Sequence, residues 1–200
     1  MTKREAKLRE LLVVLVIVFV LWMLLIPQLG KAREISRRVD CLAHLKQLGL
    51  AAAMYAETNQ GRCPTDSKAP TLVGSWQLLS NYMGSATILL CPSDRRGFRA
   101  AEPLDVLTAK NISYSYVPSM IWPPAESDSA LTLDRIDATT KGSQWPASGN
   151  HGPRPLWELD FTGVRGGNVL FCDGHVEFHK TLPSDLKDKD GRLRVLSPRL

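Results

Sequence analysis

Asp160, Asp173 and His175 are the residues of this chain best suited to holding a metal ion, and His151 and His179 lie close to them in the sequence. Calcium is held by about six to eight oxygen ligands. Asp160 and Asp173 supply carboxylates, but the dense acidic cluster of a calcium loop is missing. Zinc takes sulfur, nitrogen or carboxylate ligands at short motif spacings, and no such spacing occurs. The plainer assignment makes Asp173-Gly174 a turn and His175 a strand residue. Calcium at Asp160 and Asp173, with His175 as a further metal candidate, is therefore carried beside that plainer assignment, and no other cofactor is expected.

The four cysteines, Cys41, Cys63, Cys91 and Cys172, include no C-x-x-C pair of the zinc or redox kind. An even count suits disulfides in a domain outside the cytoplasm. Spacing alone does not choose among the pairings, and four thiols is the alternative. There is no G-x-S-x-G elbow, phosphate loop, H-E-x-x-H or paired-carboxylate signature, so the chain does not read as an enzyme.

The elements that must position these residues begin with an apolar run of 16 residues, Leu11 to Ile26. With Leu8 and Leu29 it reaches about 20 residues, enough for the ~30 Å hydrocarbon core of a bilayer. A cleaved signal peptide would have a shorter run and a small-x-small site; Pro27-Gln28-Leu29-Gly30-Lys31 supplies neither. Residues 11–29 are thus expected to be a retained transmembrane helix in contact with lipid, preceded by a short cytoplasmic segment, 1–10. Lys3, Arg4, Lys7 and Arg9 precede the run, and Lys31, Arg33, Arg37 and Arg38 follow it, so charge casts no vote on orientation. The short N-terminus favours an N-inside, single-pass topology with the rest of the chain outside the cytoplasm. Pro27 predicts a bend. The net charge of +5 is spread out and lacks interleaved aromatics, which argues against nucleic acid as a partner.

Residues 30–60 continue the helix in amphipathic form. Ile35, Val39, Leu42, Leu45, Leu48, Ala52 and Tyr55 recur at steps of three and four and predict one apolar stripe, with Glu34 and the basic residues on the other faces. Asn59-Gln60-Gly61, with Pro64 beyond, predicts the stop. Residues 61–182 read as a small α+β domain: a short helix over 76–82, a strand at 88–90, a strand over 112–117, a strand or turn over 131–136, and long loops between. Two β-type runs joined by Asp173-Gly174 predict a hairpin with a type I′ turn. Residues 183–200 form a polar tail.

The order of these parts resembles the bacterial prepilin-type proteins, most of all a large family akin to type II secretion pseudopilins that carries a C-terminal His, nine residues, then Asp-Gly. The matching stretches are Leu8-Arg9-Glu10-Leu11-Leu12-Val13-Val14, Pro27, Lys31-Ala32-Arg33-Glu34, Cys41 to Gly49, Tyr55 to Arg62, Cys91-Pro92-Ser93-Asp94, Ser113-Tyr114-Ser115-Tyr116 and Asn168 to Val176. The resemblance implies a pilin-like α+β fold, with the long N-terminal helix packed on a small antiparallel sheet. It also implies an inner-membrane anchor and a structural or assembly role among other pilin-like subunits of a type II secretion or type IV pilus-like system. Glu10 takes the place of the carboxylate that meets a neighbouring subunit's amino terminus, and some pseudopilins bind calcium in a C-terminal loop. Two features depart from the pattern, the leader site and the motif's His. Glu5 and Ala6 stand where the leader ends in Gly followed by Phe, and Gly163 stands at the motif's His, for which His151 is the displaced equivalent if an insertion intervenes. The degenerate leader site keeps a second outcome open: a non-assembling, membrane-anchored binding protein on the same scaffold.

Overall fold

The computed structural model describes residues 3–65, 70–94, 96, 99–100, 106–118, 129–136, 145, 151, 166–183, 186 and 195–197; within the first helix, the side chains at 3–6, 8 and 26–31 are outside the description. The chain is α+β. Helix α1 (Lys3–Thr58) is followed by α2 (Leu72–Leu78), 3-10 turns at Ala86–Leu89 and Ala109–Asn111, and strands β1 (Tyr114–Tyr116), β2 (Ala130–Asp134), β3 (Gly167–Phe171) and β4 (Val176–His179). The strands form one antiparallel sheet in sequence order.

The described residues fall into two compact units, one holding α1 up to Ser36, the other beginning at Arg37. In the first, the side chains from Leu11 to Leu25 are all exposed, between 48% and 68%. Among the described residues no helix is long and apolar enough to cross a membrane. Leu8 and positions 26–29, which complete the expected span, are among those whose side chains are not described.

In the second unit α1 turns one face inward, and Leu45, Leu48 and Ala52 of the expected stripe lie on it. Cys41, Leu45, Leu48, Ala51, Ala52 and Ala56 are buried. The expected stripe is corrected at its start, because Val39 is 58% exposed, as is Ile35 of the first unit at 57%. Glu34, in the first unit and expected on a solvent face, is buried instead. Spacing alone could not decide this, since α1 carries two apolar faces and only tertiary packing shows which is covered. Gly49 lets the helix approach β3 closely: a Cβ there would lie 3.0 Å from a methyl of Leu170.

The helix stops where expected. Gln60 (φ 59°) and Gly61 (φ 72°) are left-handed, the Gly61 N–H donates to the Ala56 carbonyl at 2.8 Å, and the Asn59 amide donates to the Tyr55 carbonyl at 2.8 Å. These bonds satisfy carbonyls that the helix end leaves open.

The short helix lies earlier than expected. Thr71 caps it by accepting the Gly74 N–H at 3.1 Å, a signal hidden among loop residues. The strand expected at 88–90 is a 3-10 turn, nucleated by Ser85 accepting the Thr87 N–H at 3.2 Å. The hairpin is present, but its turn is not type I′. Asp173 stays at negative φ, and only Gly174 (φ 89°) is left-handed. The Gly174 N–H donates to Phe171 at 3.0 Å, and the Phe171 N–H donates to His175 at 2.9 Å. This is a tight turn followed by a glycine bulge, the next commonest hairpin loop.

Both faces of the sheet are covered, so β1, β2 and β3 are buried throughout. On one face Tyr114, Tyr116, Leu131 and Leu170 pack with the inward residues of α1 and with Trp76. On the other, Leu133, Val169 and Phe171 pack with Ile136, Trp145, Leu182 and Leu186. A register shift between Ala130 and Thr132 marks where the alternation of β2 slips.

Candidate functional site

Cys41 and Cys91 form a disulfide across 50 residues of chain, with their Cα atoms 5.1 Å apart. Closing a loop of that length stabilises the fold by about 4 kcal/mol in the chain-entropy account. The bridge joins the buried face of α1 to the segment behind the 3-10 turn, beside a hydrogen bond of 2.8 Å between His44 Nδ1 and the Leu90 carbonyl. Cys63 and Cys172, candidates for the same role, are buried and lie outside this bridge.

Two polar side chains converge on the disulfide. His151 Nε2 lies 3.9 Å from Cys91 Sγ and 3.3 Å from Asp134 Oδ2. Asp134 is the last residue of β2. Its Oδ2 accepts the backbone N–H of Asn168, on β3, at 2.7 Å. The Asn168 amide also reaches to 3.4 Å from His151 Nε2. Phe178 closes over the imidazole edge-on, with ring centroids 6.3 Å apart, and its own ring carries the Arg38 guanidinium at 4.9 Å. One ligand atom each from Cys41, Cys91, Asp134 and His151 fall within 4.8 Å of one another, and all four residues are buried. This is the group of potential metal ligands that the described residues assemble.

The neighbouring electrostatics follow from burial. Tyr114, paired with Asp134 in the β1–β2 register, has its phenol pushed well up by desolvation and then by the charges of Asp134 and Asp94. For Asp94 burial acts upward, yet hydrogen bonds and charge from Arg96 outweigh it and hold the carboxyl below its usual value. Arg96 Nη2 meets Asp94 Oδ2 at 2.5 Å and also donates to the Ile112 carbonyl at 3.1 Å. That pair fastens the stretch after Cys91 to the residues entering β1.

The metal candidates named from the sequence are distributed differently. Asp173 and His175 sit at the exposed hairpin turn, paired with each other at 2.5 Å. Asp173 accepts the His175 N–H, which lowers its carboxyl, and the His175 ring stacks on Phe171 with centroids 4.3 Å apart. Among the described residues they gather no third ligand. His179 lies 3.5 Å from Glu177, and Asp160 is outside the described residues. Glu10 is exposed on α1, while Glu5, Ala6 and Pro27 belong to the same helix with side chains outside the description.

Sequence reasoning missed Asp134. A charged residue closing an otherwise apolar strand, Ala130-Leu131-Thr132-Leu133-Asp134, was the available signal, because a buried carboxylate needs a partner. No family model, curated protein or solved structure matches this chain.

Proposed function

We propose that this protein is a membrane-anchored, pseudopilin-like assembly subunit, held in the bilayer by the N-terminal part of α1 and carrying its α+β domain outside the cytoplasm. The observation that carries the reading is the exposure of every described side chain from Leu11 to Leu25, on all faces of one helix. Soluble surfaces rarely present contiguous apolar patches of that extent. Lipid is the surrounding that accepts a helix apolar all round, because the helix satisfies its backbone internally. The same helix supplies buried residues to the core from Cys41 to Ala56, so anchor and domain share one element.

The outward face supports assembly. Val39, Leu50 and Met54 are 58%, 64% and 45% exposed. At 100° per residue they form one stripe opposite the buried one. A second copy's helix is the fitting occupant, since the stripe belongs to the helix that also carries the apolar run.

The test is fractionation of the full chain. It is expected to stay with membranes through an alkaline wash and to be released by detergent. The double variant Leu15→Arg and Val18→Arg is expected to shift toward the soluble fraction, as a central arginine costs about 2.5–3.5 kcal/mol on insertion scales. A wild-type chain recovered in buffer without detergent overturns the reading.

One observation favours the second reading, a solitary anchored binding protein. A groove of about 740 Å³ is lined by Tyr55, Thr58, Asn59, Arg62, Thr65 and Gln77 among others, within the usual size of ligand sites. The intact mass of membrane-extracted protein separates the two. Loss of Met1–Glu5 goes with assembly; a retained N-terminus goes with a solitary anchor.

A further inference from the structure

We propose that Cys41, Cys91, Asp134 and His151 form a redox-gated site for a zinc-class divalent cation, closed while the two cysteines are bridged and opened when they are reduced. The inference rests on the domain beginning at Arg37 and stands whether or not the chain is anchored in a membrane.

The donor chemistry is specific. Two thiolates, an imidazole nitrogen and a carboxylate oxygen are the ligand types of closed, four-coordinate zinc sites. Hard cations such as calcium and magnesium are held by oxygen alone, so two sulfurs in the set disfavour them. The geometry is nearly assembled. Bond lengths of about 2.0–2.3 Å in a tetrahedron place donor atoms about 3.3–3.8 Å apart. Here the four lie within 4.8 Å of one another, with the His151–Asp134 separation already 3.3 Å. Rotation of the released cysteine side chains covers the difference.

Burial makes the site a structural one. Cys41, Cys91, Asp134 and His151 are 0%, 3%, 0% and 1% exposed, leaving no open coordination position for substrate. The surrounding shell orients the carboxylate as metal sites require: the Asn168 N–H holds Asp134 Oδ2 at 2.7 Å. The ligands come from α1, the segment after the 3-10 turn, the end of β2 and the region before β3. A metal there would tie together the same parts of the fold that the disulfide ties, so one crosslink replaces the other.

The gating step balances. A low-molecular-weight dithiol attacks the Cys41–Cys91 disulfide through a mixed disulfide, leaves as its own cyclic disulfide, and delivers two electrons and two protons to give two thiols. Metal binding then expels both thiol protons, because the thiolate is the ligand.

Cobalt(II) is the probe, added to the full-length chain in detergent, oxidised or reduced and then freed of reductant under nitrogen. The reduced chain is expected to bind about one equivalent with thiolate-to-cobalt charge-transfer bands and the visible bands of a tetrahedral ion, zinc displacing it. The oxidised chain is expected to bind none with those bands. His151→Ala is expected to weaken binding at least about tenfold, the least that losing a group that merely orients a ligand costs, and unchanged affinity overturns the proposal. Near-UV dichroism of the two reduced chains reports folding: if reduction unfolds the domain, one equivalent of zinc is expected to restore the native spectrum. A reduced chain that takes up no cobalt, that binds it without thiolate bands, or that zinc leaves unfolded overturns the proposal. Equal uptake by oxidised and reduced chains overturns it too.

Discussion

Asp94 and Arg96 show how far a single pair can matter in a domain with this many loops. Their side chains are 3% and 11% exposed, so removal of one partner leaves a charge with little water around it. Arg96→Gln is expected to destabilise the domain by about 3 kcal/mol, the lower end of the cost of breaking a buried pair, read as a shift in urea midpoint at neutral pH. The sign of the pH dependence follows from the lowered carboxyl. A depressed folded-state pKa contributes stability that is complete above the unfolded value, near about 3.9. That contribution is lost as pH falls through the folded value. The gap between wild type and Arg96→Gln is therefore expected to close on acidification below that range; a constant gap would show that the carboxylate is not what Arg96 stabilises.

At the scale of elements, the contact of α1 with β3 sets the domain. Gly49 sits on the buried side of a long helix, where glycine costs about 1 kcal/mol relative to alanine. What it permits is the approach of Leu170, itself fully buried. Gly49→Val is expected to lower stability by about 1–3 kcal/mol through overpacking, and a thermal melt at or above the wild-type midpoint would refute that packing. Helical period, the glycine stop after Thr58 and the Asp-Gly hairpin were all legible as patterns of spacing. The 3-10 turn at Ala86–Leu89 was not. A short apolar run has the same composition in either conformation, and the Ser85 cap decides it. The turn type failed for a related reason: Asp-Gly fits both a type I′ turn and a glycine bulge, and the register of β3 with β4 chooses.

At the scale of the whole molecule, a single helix serves a stretch apolar on all sides and a core. If the anchored subunit assembles through that helix, Glu10, exposed at the edge of the apolar run, faces other copies. Glu10→Ala is expected to leave the dichroism of the domain unchanged while reducing crosslinking between copies in membranes severalfold. Undiminished crosslinking would remove Glu10 from the contact and leave the stripe of Val39, Leu50 and Met54 to carry it.

Local order determined much of this protein. The apolar run, the end of α1, the strand at 114–116 and the hairpin around Asp173-Gly174 each follow from residues within one turn or one strand of each other. The α+β class followed from their sequence. Only the tertiary structure decided which face of α1 is covered and which cysteines meet. It also decided that His151 and Asp134 share a buried corner while Asp173 and His175 stay at the surface. The reason is distance along the chain. Cys41 and Cys91 are 50 residues apart, Asp134 and Asn168 are 34 apart, and no spacing rule reaches that far. Such pairs are chosen by which apolar surfaces fit, and the polar groups they bring together are set by that packing.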